Sequence, residues 1–99
     1  MTNYIWETSF KAGETNKIKV PEDAKLLSVG TVNGNICVWF LVDYSEDVKL
    51  VEREFELVPS NTAFEKEITV ERTYIGTAVV NLYAWHVFER YNIKYFEEA

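Results

Sequence analysis

The chain is poor in the residues that most reactions and most cross-links need. It has one cysteine, one histidine, two prolines and four glycines in 99 residues. With Cys37 alone, no intrachain disulfide can form, which suits a reducing compartment. One cysteine and one histidine are too few for a zinc site. The glycines are scattered, so neither GxGxxG nor GxxxxGK occurs and no phosphate-cradling loop is expected. No long apolar run exists either: residues 36–42 form the longest, far short of the roughly 20 needed for a membrane-spanning helix. Residues 1–10 show no signal-peptide pattern. Basic charge is scarce, with 10 Lys and Arg against 16 Asp and Glu and a formal net charge of −6. Direct nucleic-acid binding, which needs a basic face to neutralise phosphates, is therefore not expected.

What the chain does have is aromatic side chains and alternation. Three Trp, six Tyr and six Phe are many for one small domain, and a core of this size leaves some rings facing solvent or another subunit. The hydropathy period is two, which predicts strands over 4–10, 17–20, 25–32, 35–43, 50–58, 67–72, 73–80 and 83–90. Asn33-Gly34 is the preferred pair for a two-residue type I′ turn and predicts a hairpin between 25–32 and 35–43. Ile36 to Val42 is apolar on both faces and reads as a central strand covered on both sides. Pro21 and Pro59 close their strands. Gly76 marks a bulge or a close backbone approach, and Asn81-Leu82 a tight turn. Residues 60–66 fit a short capped helical turn or a loop equally well, and Ile68 and Val70 are expected inward. Residues 91–99 read as a docking or loose tail. The expectation is a single all-β domain over 1–99, an antiparallel β-sandwich or a curled barrel-like sheet of seven to eight short strands.

No catalytic constellation emerges, so the chain is read as a non-enzyme without cofactor or metal. His86 shares a strand face with Ala84 and Phe88 and reads as a histidine bonded beside the core. Cys37 reads as a buried, inert thiol, and nothing local pairs it with His86. Glu52, Glu54 and Glu56 repeat at strand spacing on one face. They are either a solvated surface or, joined by Glu65, Glu67 and Glu71, an acidic surface that imitates phosphates.

A run of short motifs carries a resemblance. Pro21-Glu-Asp-Ala-Lys-Leu-Leu-Ser-Val29 is followed by Val32-Asn-Gly-Asn-Ile-Cys-Val-Trp39 and Leu41-Val-Asp43, then by Tyr74-Ile-Gly-Thr77 and Trp85-His-Val-Phe-Glu89. In this order the chain resembles a family of small uncharacterised proteins of tailed bacteriophages and prophages, from Ile5 to Glu89. The glycine-threonine-glycine loop usual in that family is here Val58-Pro-Ser-Asn-Thr62. The resemblance implies a viral origin, action in the host cytoplasm and no known enzymatic activity. It also implies shared roles for Trp39, Gly76, Thr77 and His86.

The function expected on these grounds is an accessory protein that binds and inhibits or redirects a host protein, in host takeover or counter-defence. Its expected contacts are Glu52, Glu54, Glu56, Tyr91, Tyr95 and Phe96. One alternative is an oligomeric sponge for a nucleotide-type immune signal, which needs Arg53, Arg72 or Arg90 on the anion. Another is a virion-associated piece assembling by strand edges. A homodimer or higher homo-oligomer fits all three.

Overall fold

The structure, a computed structural model, describes residues 2–11 and 15–92. The described residues form seven strands: β1 Asn3–Phe10, β2 Thr15–Pro21, β3 Lys25–Val32, β4 Asn35–Asp43, β5 Leu50–Pro59, β6 Val70–Val80 and β7 Tyr83–Asn92. They make two antiparallel sheets of order β1-β4-β3 and β2-β5-β7-β6, facing each other as a sandwich and not closed into a barrel. Residues 12–14, around Gly13, and residues 93–99 lie outside the described residues.

Alternation decides which face of each strand is buried. Phe10, Val20, Ile36, Val38, Phe40, Val42, Phe55, Leu57, Ala78 and Val87 form the core between the sheets. Phe55 of the four-stranded sheet packs on Phe10 and Phe40 of the other, with ring centroids 5.3 and 6.1 Å apart. Aromatic rings thus join the two layers, and each removes a large apolar area from water. Pro21 ends the edge strand β2, where its missing N–H costs no ladder bond.

Both expected two-residue turns form. Asn33 and Gly34 have φ of 50° and 79°, and Asn81 and Leu82 have 50° and 73°. These are type I′ values, which match the twist of the flanking strands. Gly76 does mark a bulge, since the β6–β7 register shifts between Tyr74 and Gly76. It is also a close approach: a Cβ there would lie 2.9 Å from Val29 Cβ of β3. Here β6 meets the other sheet along one edge, and Thr31 Oγ1 donates to the Val79 carbonyl at 3.1 Å.

Three expectations need correction. Segments 67–72 and 73–80 are not two strands; pairing begins at Val70, opposite Asn92, and continues as β6. Ile68, expected inward, is 77 % exposed and precedes the ladder, and Val70, also expected inward, pairs with Asn92 on the outer face, in line with Arg72 and Arg90. β4 is central, but among the described residues no second layer covers its other face. Trp39 instead lies across Gly30 of β3 and donates from Nε1 to Glu7 Oε1 of β1 at 2.9 Å.

The connection from β5 to β6 is the least local part of the fold. Both strands pair antiparallel with β7, on its two sides, so they run parallel to each other. A parallel pair needs a crossover. Pro59 lies opposite Trp85 and Val70 opposite Asn92, so residues 60–69 must traverse β7 diagonally from one end to the other. That path is roughly 25 Å, from the strand rise and two strand spacings. Seven helical residues would advance only about 10 Å. The segment 60–66 is therefore a loop, and it crosses on the outer face because the inner one is filled.

Replacing Gly76 by Ala is expected to cost about 1–3 kcal/mol through overpacking against Val29. Chemical denaturation should show the loss, and Val29→Ala should be less harmful in the Gly76→Ala background than alone. Equal, additive effects would mean the contact is not the cause.

Candidate functional site

The crossing segment, called the strap below, makes the outer face of the four-stranded sheet the most elaborate surface of the molecule. Outer-face residues of β7 alternate as His86, Phe88 and Arg90, and the strap meets each in turn. Ser60 Oγ is 2.7 Å from His86 Nε2. The Phe64 ring packs on Phe88 with centroids 5.7 Å apart. Glu67 accepts from Arg90 Nη2 at 3.2 Å. Successive contacts at period two on β7 thus peg the strap along its length.

Around the first peg runs a chain of polar groups. His86 Nδ1 is 2.9 Å from Thr77 Oγ1, and Thr77 in turn contacts the Tyr74 hydroxyl across the bulge. A neutral imidazole has one N–H, so one of the two hydroxyls donates to His86 and the other accepts. The group orienting the ring is a neutral hydroxyl. A serine nucleophile served by histidine ordinarily has a carboxylate there to stabilise the imidazolium. Cys37 is remote from His86: it lies on the outer face of the other sheet, 3.6 Å from Ser9 Oγ, with the core between the two. Among the described residues no group of three or more His, Cys, Asp or Glu is placed to hold a metal ion.

Around the last peg lies an ion-pair network. Arg72 Nε donates to Glu56 Oε1 at 3.2 Å and Nη2 to Glu67 at 3.1 Å. Arg90 Nη1 donates to Glu54 at 3.1 Å. Arg90 Nε is 3.1 Å from Glu56 Oε1 yet misaligned, so that N–H makes no hydrogen bond. The Arg72 guanidinium also sits 5.6 Å from the Phe64 ring centroid. Clefts open on both sides of Phe64. One of about 330 Å3 is lined by Ser60, Asn61, His86 and Phe88, the other, of about 420 Å3, by Phe64, Lys66, Arg72 and Phe88.

The sequence-derived contacts fall in different places. Glu54 and Glu56 are tied to arginines under the strap; Glu52 stays exposed and faces Lys19 across β2. The glutamate ladder thus offers little unpaired charge. Arg72 and Arg90 are the counterions of that ladder. Arg53 lies on the inner face, where Nε and Nη2 reach Glu89 at 2.6 and 2.7 Å and Nη1 donates to the Ala24 carbonyl at 3.0 Å. Its guanidinium stands 5.0 Å from the Phe40 ring centroid. A phosphate reaching any of the three arginines would have to displace a carboxylate. Tyr91 is on the inner face at the end of β7, near Arg53 and Glu89; Tyr95 and Phe96 lie outside the described residues. Sequence reasoning missed Ser60, Phe64 and Glu89. Only Glu89 had a local signal: it continues the inward parity of Trp85 and Val87, as Arg53 does that of Phe55.

Residues 1–95 match the family model described as a domain of unknown function, DUF7352. The chain belongs to that family. No curated protein and no solved structure matches it.

Glu89 is 3 % exposed, so its pairing with Arg53 is essential. Removing one partner, as in Arg53→Met, strands a buried charge and is expected to cost about 3–5 kcal/mol. The double variant Arg53→Met, Glu89→Leu should recover most of that in urea melts. The pair also holds a pH dependence. The Tyr91 hydroxyl is pushed above its usual 10.0 by burial and by the Glu89 carboxylate. A raised folded-state pKa means the native chain holds that proton more tightly, so stability is fully present below pH 10 and falls as pH rises through the folded value. Arg53, whose pKa is raised above its ordinary value by its hydrogen bonds to Glu89, acts in the same direction at still higher pH. Denaturation midpoints below and above pH 10 should therefore diverge more for the wild type than for Tyr91→Phe.

Proposed function

We propose that this protein acts by binding a protein partner, without catalysis, through the outer face of its four-stranded sheet where the strap crosses β7. The observation that carries this reading is the ring cluster there. Phe64 and Tyr74 are 49 % and 56 % exposed, both pack on Phe88, and Val79, 60 % exposed, extends the same face. Rings half out of water, held on a rigid sheet and bordered by a hydrogen-bonded network of both charges, have the make-up of a protein interface: an aromatic centre and a polar rim. The mixed signs and the overall acidity disfavour a nucleic acid. The resemblance to small tailed-phage proteins directs the search for the partner to the cytoplasm of a bacterial host, where inhibition or redirection of a host protein is the role proposed.

Affinity capture from host lysate is expected to retain a specific protein on the wild-type chain. Tyr74→Ala combined with Val79→Asp should weaken that retention at least tenfold with an unchanged circular-dichroism spectrum, while Ile5→Ala, an exposed apolar position on the other sheet, should not. Capture of nothing, or equal retention by the double variant, would reject the reading.

A further inference from the structure

The two type I′ turns of the chain form an internal comparison. They share φ values, but where one has Gly34 the other has Leu82. A side chain in the left-handed region is strained, and a branched one especially so, which is why Asn-Gly is the common solution. Leu82 recovers nothing inside its own chain, since it is 98 % exposed. A fully displayed apolar side chain on a strained backbone position points to contact with another molecule.

Beside it lies a cavity of about 300 Å3 at the open end of the core, lined by Phe10, Lys11, Gly34, Asn35, Ile36, Val80 and Trp85. Its inner wall is apolar, since Phe10 and Ile36 are core residues. Val80 lines the cavity and pairs with Tyr83 at the foot of the turn, so knob and hole are adjacent on one end of the sandwich. We infer that this end is a dimer interface, in which Leu82 of each copy enters the cavity of a second copy of this chain.

Two features select a second copy as the occupant. The first is adjacency: a knob and hole side by side can be exchanged by a two-fold axis, which closes the assembly at two. The second is charge. The chain carries a net −6, so copies repel in general. The described residues that flank knob and cavity, 33–36 and 79–85 with Phe10 and Lys11, carry no carboxylate, and the one glutamate in the sequence between Lys11 and Thr15, Glu14, is balanced by Lys11. Glu22, Asp23, Asp43, Glu46 and Asp47 occupy the turns at the opposite end. This interface is separate from the ring cluster on the sheet face, so either can fail without the other.

The test is sedimentation equilibrium over a wide concentration range. The wild type should pass from monomer to dimer and no further. Leu82→Gly should lower dimer affinity roughly a hundredfold or more, because two leucines lose their burial at once. Measured at concentrations where the wild type is monomeric, the same variant should melt about 4–8 °C higher, since the turn strain is relieved. Asn35→Trp, which caps the cavity mouth, should weaken the dimer without relieving strain. A wild type that stays monomeric throughout, a Leu82→Gly variant that dimerises as well as the wild type, or growth beyond dimer by head-to-tail contact would each overturn the inference.

Discussion

The outer half of this structure depends on a topological constraint. β7, last of the seven strands, lies between β5 and β6 and pairs antiparallel with both, so those two run the same way and the chain between them must cross the sheet. Because the inner face is packed, only the outer one is open to that crossing. The strap therefore roofs part of a surface that an ordinary meander would leave bare. Its Ser60, Phe64 and Glu67 add a second set of partners for His86, Phe88 and Arg90 to those that Thr77, Tyr74 and Glu54 supply from the neighbouring strands. Glu54 and Glu56 become half-hidden partners of arginine as a consequence.

Charge is thus handled differently on the two faces of one sheet. Outside, Arg72 and Arg90 share three glutamates at the edge of solvent, where each pair contributes little alone but fixes the path of the strap. Inside, Arg53 and Glu89 form one two-pronged pair against the Phe40 ring. Such a pair is weak evidence for stability, because desolvation offsets most of its attraction. What it contributes is position. A sheet shifted by one residue would place these two charges outside and break every one of their contacts.

Much of the architecture was legible in the chain because its determinants are local. Period-two alternation marked the strands, Asn33-Gly34 and Asn81-Leu82 marked the hairpins, and Gly76 marked the bulge. The rest depends on partners distant in sequence. Ile68 and Val70 alternate like strand residues, but Ile68 precedes the ladder and Val70 enters it on the outer face. The two-sided apolar pattern of β4 predicted a second covering layer; a single Trp39 ring over Gly30 does that work from within the sheet. The site was less readable still. A glutamate ladder looks like an exposed acidic face until the arginines of β6 and β7 are seen beside it. Conversely, Arg53 and Glu89 share inward parity on adjacent strands, a signal that needs only the knowledge that those strands are neighbours.

The position of β7 also orders the events of synthesis. β3 and β4 can zip as soon as both have emerged, and β1 is already waiting for β4. Nothing comparable is open to β6, whose one ladder partner among the described strands is β7. While translation proceeds, one sheet can be complete as the other remains a β2–β5 ribbon, with the next strand trailing unpaired and its apolar residues wet. That interval, ended only when β7 threads between its neighbours and beneath the strap, leaves the nascent chain exposed to aggregation and to chaperones.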